Sequence, residues 1–334
     1  MPTPSPDAAR LLRGGSRTFH AASLVLPRAV REPARELYAF CRLADDAVDG
    51  AEGAHDAVAT LHRRLDSIYA GTPDAADAGF AAVVTQYAIP RDLPASLIEG
   101  FAWDAQGRRY HDLHDLHAYA TRVAGSVGAM MALVMGSRSR EALARACDLG
   151  IAMQLSNIAR DVGEDARNRR VYLPLAWLRA EGIDPDEWLA RPHHSPALAR
   201  VVLRVLDEAA RLYRSAGAGI AHLPAGCRAG IGLAARLYEE IGREVARRGG
   251  DSVASRAVVS PLRKSWVMAD TLVRLTALRL PPPTPAVPAA HYLVDAAAQD
   301  HPPAQESARG FAARVAWTLD LFVEVERRQH ARAG

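Results

Sequence analysis

Asp45 and Asp49 share one spacing with Asp161 and Asp165, Asp-x-x-x-Asp, and both pairs lie in segments that otherwise read as buried helix. The first segment is YAFCRLADDAVDG, Tyr38 to Gly50, and the second is QLSNIARDVGED, Gln154 to Asp165. On an α-helix, side chains four apart share a face at about 5–6 Å from each other. Two carboxylates at that distance repel unless a cation sits between them. Tyr38, Arg42, Asp45 and Asp49 fall at offsets 0, 4, 7 and 11, and Gln154, Asn157, Asp161 and Asp165 at 0, 3, 7 and 11, so each set forms one polar stripe. Two such helices facing each other would cage divalent cations and a polyphosphate.

A solvated helix face is the plainer reading of one acidic pair. The neighbours of the second stripe argue against it: Leu149, Ile151, Ala152, Met153, Leu155, Ile158, Ala159 and Val162 make that helix apolar nearly all round. Such a helix belongs inside a protein. Charges on it need partners, since an unpaired charge in low dielectric is very costly. A water-filled cavity holding metal supplies them.

Carboxylate oxygens suit hard cations, and Mg²⁺ typically takes one or two carboxylates together with substrate phosphate oxygens. Mn²⁺ is the expected substitute. Arg42 lies one turn before Asp45 and Arg160 directly precedes Asp161, and guanidinium groups clamp phosphate bidentately. The set reads as a diphosphate site. It is not a nucleotide site, because the chain carries no GxxxxGK[ST] loop and no GxGxxG after a strand. The chemistry implied is departure of a metal-held diphosphate, leaving a carbocation in an apolar cavity.

The elements that must position these groups read as helices throughout. Periodic segments run over Leu37 to Val48, Ala54 to Tyr69, Asp77 to Tyr87, Leu93 to Trp103, Leu116 to Met135, Arg140 to Val162, Pro174 to Glu181, Ser195 to Ala216, Pro224 to Arg248 and Ser260 to Leu280. The expected fold is all-α, a helical bundle enclosing one central cavity. With 334 residues, 49% of them apolar, the chain can build a large helical core over residues 1–280. Residues 281–303, broken by seven prolines, are expected as a linker or surface wrap rather than core. Phe311, Val315, Leu319 and Phe322 mark one stripe of a C-terminal helix within 304–334. It is expected to pack on the body, with a membrane surface as its alternative partner.

The net charge of +3 and the single lysine, Lys264, offer no basic tract for nucleic acid. Cys41, Cys147 and Cys227 form no CxxC and suit a reducing cytosol. No secretory leader is expected at the N-terminus, and the longest apolar run, Val127 to Met135, is about half a membrane span. The expected location is cytoplasmic, with peripheral contact on the inner face of the cytoplasmic membrane as the alternative.

Four segments together, SRTFHAASLVLP (Ser16 to Pro27), YAFCRLADDAVDG, YATRVAGSVGAMM (Tyr119 to Met131) and QLSNIARDVGEDARNRRVYLP (Gln154 to Pro174), resemble successive signatures of the squalene/phytoene synthases, the head-to-head trans-prenyltransferases. The resemblance covers roughly residues 10 to 275, and Leu237 to Trp266 is similar to the bacterial phytoene synthases within that family. It implies an isoprenoid-synthase fold and a two-step reaction. Two prenyl diphosphates condense to a cyclopropylcarbinyl diphosphate, which ionises and rearranges to a linear product. The resemblance also implies residue roles. Asp45, Asp49, Asp161 and Asp165 match the metal-binding aspartates. Arg42, Gln154, Asn157 and Arg160 match the polar lining, and Tyr38, Tyr119, Tyr238 and Arg256 match residues near the diphosphates. Ser16 and Phe19 match the entrance motif. Thr121, His20 and Ala159 depart from common family residues in ways that touch pocket shape, not the reaction class.

The expected substrate is geranylgeranyl diphosphate, giving phytoene with Mg²⁺ and without NADPH. Ala21, Ala22 and Ser23 leave the wall after Phe19 small, which favours C20 over C15 chains. The alternatives are a squalene, dehydrosqualene or presqualene diphosphate synthase using farnesyl diphosphate, or a non-catalytic prenyl-diphosphate-binding partner subunit. Association with neighbouring carotenoid enzymes is a further implied partnership, and nucleic acid is not one. His111, His114 and His117 are spaced three apart, which precesses around a helix and speaks against a metal site. Asp104 with Arg109 and Tyr110 matches the family pattern, with a structural ion pair as the alternative. Ala124, Gly125, Gly128, Ala129 and Ala132 could serve close helix packing or leave room for a prenyl chain.

Overall fold

The computed structural model describes residues 25–49, 54–275 and 285–298. Every regular element among them is helical. In chain order these are α1 (Arg28–Asp49), α2 (Ala54–Tyr69), α3 (Ala78–Tyr87), α4 (Asp92–Ala105), α5 (Leu113–Ala120), a π-helical turn (Thr121–Gly125) and α6 (Ser126–Val134). There follow α7 (Arg140–Arg167), the short α8 (Leu175–Ala180) and α9 (Pro185–Ala190), then α10 (Pro196–Gly219), α11 (Ala225–Arg247), α12 (Pro261–Leu275) and α13 (His291–Ala297). No helix among the described residues is long and apolar enough to cross a membrane.

The centre of the bundle is α7, with α6, α10 and α11 packed along it. Ser139 caps its first turn by accepting from the Ala142 N–H, and Leu143, Ile151, Leu155 and Ala159 are fully buried. α6 returns to α7 through a tight turn at Gly136, whose φ of +80° is the left-handed region that glycine adopts freely. The two helices then touch backbone to backbone. A Cβ on Gly128 would lie 2.2 Å from the Ala146 carbonyl oxygen, and one on Gly150 would lie 2.2 Å from that of Ala124. These two small residues therefore serve helix packing. Gly125, inside the π turn, has only ordinary contact distance around it, 3.5 Å to Thr121.

α1 begins earlier than Leu37, the expected start, and continues through Pro33. Proline leaves the carbonyl four residues back without its helical donor. Here that carbonyl belongs to Ala29, and it accepts a hydrogen bond from the Tyr87 hydroxyl at 3.2 Å. A neighbouring helix thus satisfies the break.

The linker expected over 281–303 is corrected in part. Within 285–298, Ala290, Leu293, Val294 and Ala297 are buried, and α13 packs on α4, α6 and α7. Pro288 opens this element, but its interior is an apolar stripe that joins the core. The C-terminal helix expected within 304–334 lies outside the described residues.

Candidate active site

Asp161 and Asp165 occupy one face of α7, as the spacing required. The Arg160 Nε donates to Asp161 Oδ1 at 2.7 Å, and the Arg256 Nε donates to the same oxygen at 2.8 Å. Arg256 comes from the loop after α11, and a glycine makes its approach workable. A Cβ on Gly163 would lie 2.5 Å from the Val253 carbonyl oxygen, so only glycine lets that loop lie against α7. The loop is fastened there by the Gly163 N–H donating to the Ser252 carbonyl at 3.0 Å and the Ser252 hydroxyl donating to the Ala159 carbonyl at 2.6 Å.

Asp165 is half-buried, and the desolvation pushes its carboxyl up to about 7. The charges of Asp161, Glu164 and Asp104 add to that shift and Arg170 opposes it. Asp104, on α4, accepts from the Tyr119 hydroxyl at 2.8 Å and from the Tyr172 hydroxyl at 2.7 Å. The rings of Tyr110 and Tyr119 lie tilted 4.9 Å apart, and those of Tyr119 and Tyr172 stack 5.2 Å apart. Burial beside Asp104 holds the Tyr119 hydroxyl well above its ordinary range, so it donates and stays protonated.

A cavity of about 230 Å³ opens along α7 below this acidic face. Gln154, Asn157 and Tyr238 make its polar end, and Val123, Ala124, Val127, Met131, Leu149, Met153, Ile231 and Ala234 make its walls. The π turn supplies Val123 and Ala124, and such turns widen a helix locally, often at functional sites. Asn157 keeps a buried Oδ1 with no hydrogen-bond partner within the protein.

On α1, the Arg42 guanidinium donates to Asp45 Oδ2 at 3.0 Å and pairs with Asp46 at 2.6 Å. Tyr38 is half-buried on the same helix. Asp49 closes α1, and its side chain lies outside the described residues, as do Ser16, Phe19, Ala21, Ala22 and Ser23. The structure therefore brings Gln154, Asn157, Arg160, Asp161, Asp165, Tyr238 and Arg256 to one region, with Tyr119 joined to it through Asp104. Arg42 is paired with Asp45 and Asp46 on α1.

Among the described residues no three His, Cys, Asp or Glu side chains cluster tightly enough to hold a metal unaided. The donor set of the second stripe still fits Mg²⁺. It offers a partnerless carboxamide oxygen and two carboxylates on one face, and one of those carboxylates is pushed up by burial and then by its acidic neighbours, a repulsion that a divalent cation relieves. Mg²⁺ usually completes its shell with substrate phosphate and water.

His117 is not part of a metal cluster: its Nε2 lies 3.0 Å from Glu208 Oε1, a contact that ties α5 to α10. Arg109 pairs with Asp186 at 2.7 Å, away from Asp104. Tyr172 was visible only as part of RRVYLP; its role depends on meeting Asp104, a residue 68 positions away in the chain.

The family model for squalene/phytoene synthase matches residues 12–264. A phytoene synthase from Rhodobacter capsulatus is 51% identical over 298 residues, covering 86% of this chain and 88% of its own. A 15-cis-phytoene synthase from a Paracoccus species is 42% identical, covering 75% of this chain and 84% of its own. Among solved structures, a dehydrosqualene synthase in complex with ligand superposes with a TM-score of 0.74 at 26% identity, covering 81% of this chain and 96% of that one. A squalene synthase from Alicyclobacillus acidocaldarius gives 0.67 at 25% identity, covering 73% and 93%. An acidic stripe on a buried helix, two arginines on its aspartate and an apolar cavity beneath it are thus found in a chain that belongs to the squalene/phytoene synthase family of prenyltransferases, on the all-helical isoprenoid-synthase fold.

Proposed function

We propose that this chain condenses two molecules of geranylgeranyl diphosphate to phytoene. The first step joins the two chains as a cyclopropylcarbinyl diphosphate and releases one diphosphate and one proton. The second releases the remaining diphosphate, and the rearranged cation loses a proton to give the hydrocarbon. Both steps balance without a reductant, so NADPH has no part. The observation that supports this reading is that the acidic, arginine-bracketed face follows on α7 within one to three turns of Gln154 and Asn157, the polar end of an apolar cavity.

Bound Mg²⁺ supplies charge neutralisation of the departing diphosphate. Asp161 and Asp165 would hold it, with Asn157 as a neutral oxygen donor, and Asp45 and Asp49 would contribute from α1 by their match to the family's first aspartates. Arg160, Arg256 and Arg42 bind phosphate oxygens, and in the resting protein Asp161 and Asp45 occupy these guanidinium groups. Tyr238 and Gln154 orient the substrate head at the cavity mouth. Ser16 and Phe19 are assigned to substrate binding by their match to the family's entrance motif. The apolar walls exclude water, which would otherwise capture the cation. We place the enzyme in the cytoplasm, meeting the inner face of the cytoplasmic membrane, since a C40 hydrocarbon product needs an apolar destination.

Incubating the purified chain with geranylgeranyl or farnesyl diphosphate and Mg²⁺, with and without NADPH, tests this. Phytoene should form from the C20 substrate regardless of NADPH, with the C15 substrate poorer. A strict preference for farnesyl diphosphate would replace the C20 assignment with a squalene-type one. Tight binding of prenyl diphosphate without release of diphosphate would point to a non-catalytic partner.

A further inference from the structure

At the level of α7 remote from the acidic face, the cavity is lined by a charged residue, Arg145. Arg145 lies on α7 sixteen residues before Asp161, about 24 Å along the helix. Its side chain is 3% exposed and lines the cavity with Ala142, Met135, Ile220 and Leu223. Hydrocarbon walls thus run from Met153 down to the level of Arg145, whose guanidinium is buried.

That guanidinium is fixed from several sides. It donates to the Ser215 hydroxyl at 2.7 Å on α10 and to the Pro285 carbonyl at 3.0 Å, and it lies 3.1 Å from Asp148 Oδ2. Ser215 in turn donates to Asp148 Oδ2 at 2.8 Å, and the Val287 N–H donates to Asp148 Oδ1 at 3.4 Å. Gly219 lets α10 close on it, since a Cβ there would lie 2.2 Å from Arg145 Cβ. A side chain so held cannot swing aside to admit more hydrocarbon. Displacing it would strand Asp148, itself 2% exposed, as an unpaired buried carboxylate.

We propose that Arg145, anchored by Asp148, Ser215 and Pro285, is the stop that sets the longest prenyl chain the enzyme accepts. A chain of four isoprene units, with its diphosphate at the Asp161 face, extends to the guanidinium; a fifth unit would have to displace it. The inference rests on the reading of the cavity as a prenyl-chain site. It also gives the segment after the proline-rich stretch a role, since Pro285 and Val287 hold the stop from below.

The test compares C20 and C25 diphosphates. In the unmodified chain, binding of the non-hydrolysable thiolodiphosphate analogues should favour C20 over C25 by about tenfold or more. Replacing both charges, Arg145→Ala with Asp148→Ala, avoids leaving either one buried alone. That double variant should lower the C20-to-C25 ratio in kcat/KM by about tenfold or more. Equal binding of the two analogues by the unmodified chain, which needs no variant to fold, overturns the proposal. So does an unchanged ratio in a double variant that still shows a cooperative melting transition. If the unmodified chain binds the C20 analogue but turns over no C20 substrate, the reaction assigned above fails while the length limit is still decided by the binding ratio.

Discussion

Asp165→Asn protein, purified like the unmodified chain, is expected to release diphosphate from geranylgeranyl diphosphate at least about 10²–10³-fold more slowly, the scale seen when one preorganised electrostatic group is removed. The same chain is expected to unfold at a higher temperature. The two effects have one cause. Burial and the charges of Asp161, Glu164 and Asp104 hold the Asp165 carboxyl at about 7, against about 3.9 in an unfolded chain. Between those values the folded state binds the extra proton, so stability falls as pH rises from about 4 through about 7. Asparagine has no such proton to lose. Its advantage should be negligible near pH 4 and full above pH 7, on the order of 1–3 kcal/mol after allowance for partial solvent exposure. Melting curves at pH 5 and pH 8 check the stability arm. Wild-type turnover by the variant in saturating Mg²⁺ would remove Asp165 from the site.

The second large effect concerns the helix pair that shapes the cavity. Gly150→Ala should destabilise the protein by about 3 kcal/mol, because the new methyl would sit 2.2 Å from the Ala124 carbonyl oxygen and backbone cannot move as a side chain does. Gly125→Ala is the control. Its nearest neighbours are side-chain carbons at 3.5 and 3.6 Å, and its φ of −60° to the next helical turn makes no demand for glycine. That change should be neutral or stabilising by about 0.4–1 kcal/mol. Urea unfolding of both proteins separates the cases; equal midpoints would mean that the π turn and α7 do not meet as described.

The acidic stripe of α7 was legible in the sequence because period and composition are local properties: Asp161 and Asp165 four apart, in apolar surroundings, could lie on only one face. The helical class followed from the same periodicity. Arg256 could be matched to the family, but its hydrogen bonds to Asp161 depend on a loop that Gly163 admits, and spacing cannot express that contact. Asp104 was marked with Arg109 and Tyr110, whereas its hydroxyl donors are Tyr119 and Tyr172 and Arg109 turns to Asp186. Neighbours in sequence were the wrong guide there. Prolines signalled a linker over residues 281–303, yet Leu293 and Val294 within it are buried. Proline density marks ends of elements and does not report what lies between. Arg145 gave no local signal at all, since an arginine four residues after Glu141 looks like an ordinary surface pair; only the arrival of α10 and Pro285 buries it.

The central claim is that the Asp161–Asp165 face receives a metal-bound prenyl diphosphate with its chain in the cavity beneath. The most direct measurement is a crystal structure with Mn²⁺ and geranylgeranyl thiolodiphosphate, using Mn²⁺ anomalous scattering to locate the metal. The account predicts Mn²⁺ within coordination distance of the Asp161 and Asp165 carboxylates, phosphate oxygens on Arg160 and Arg256, and the prenyl chain running past Met153 towards Arg145. Metal and diphosphate bound elsewhere, with Asp161 still paired to Arg256 and the cavity without a chain, would contradict it.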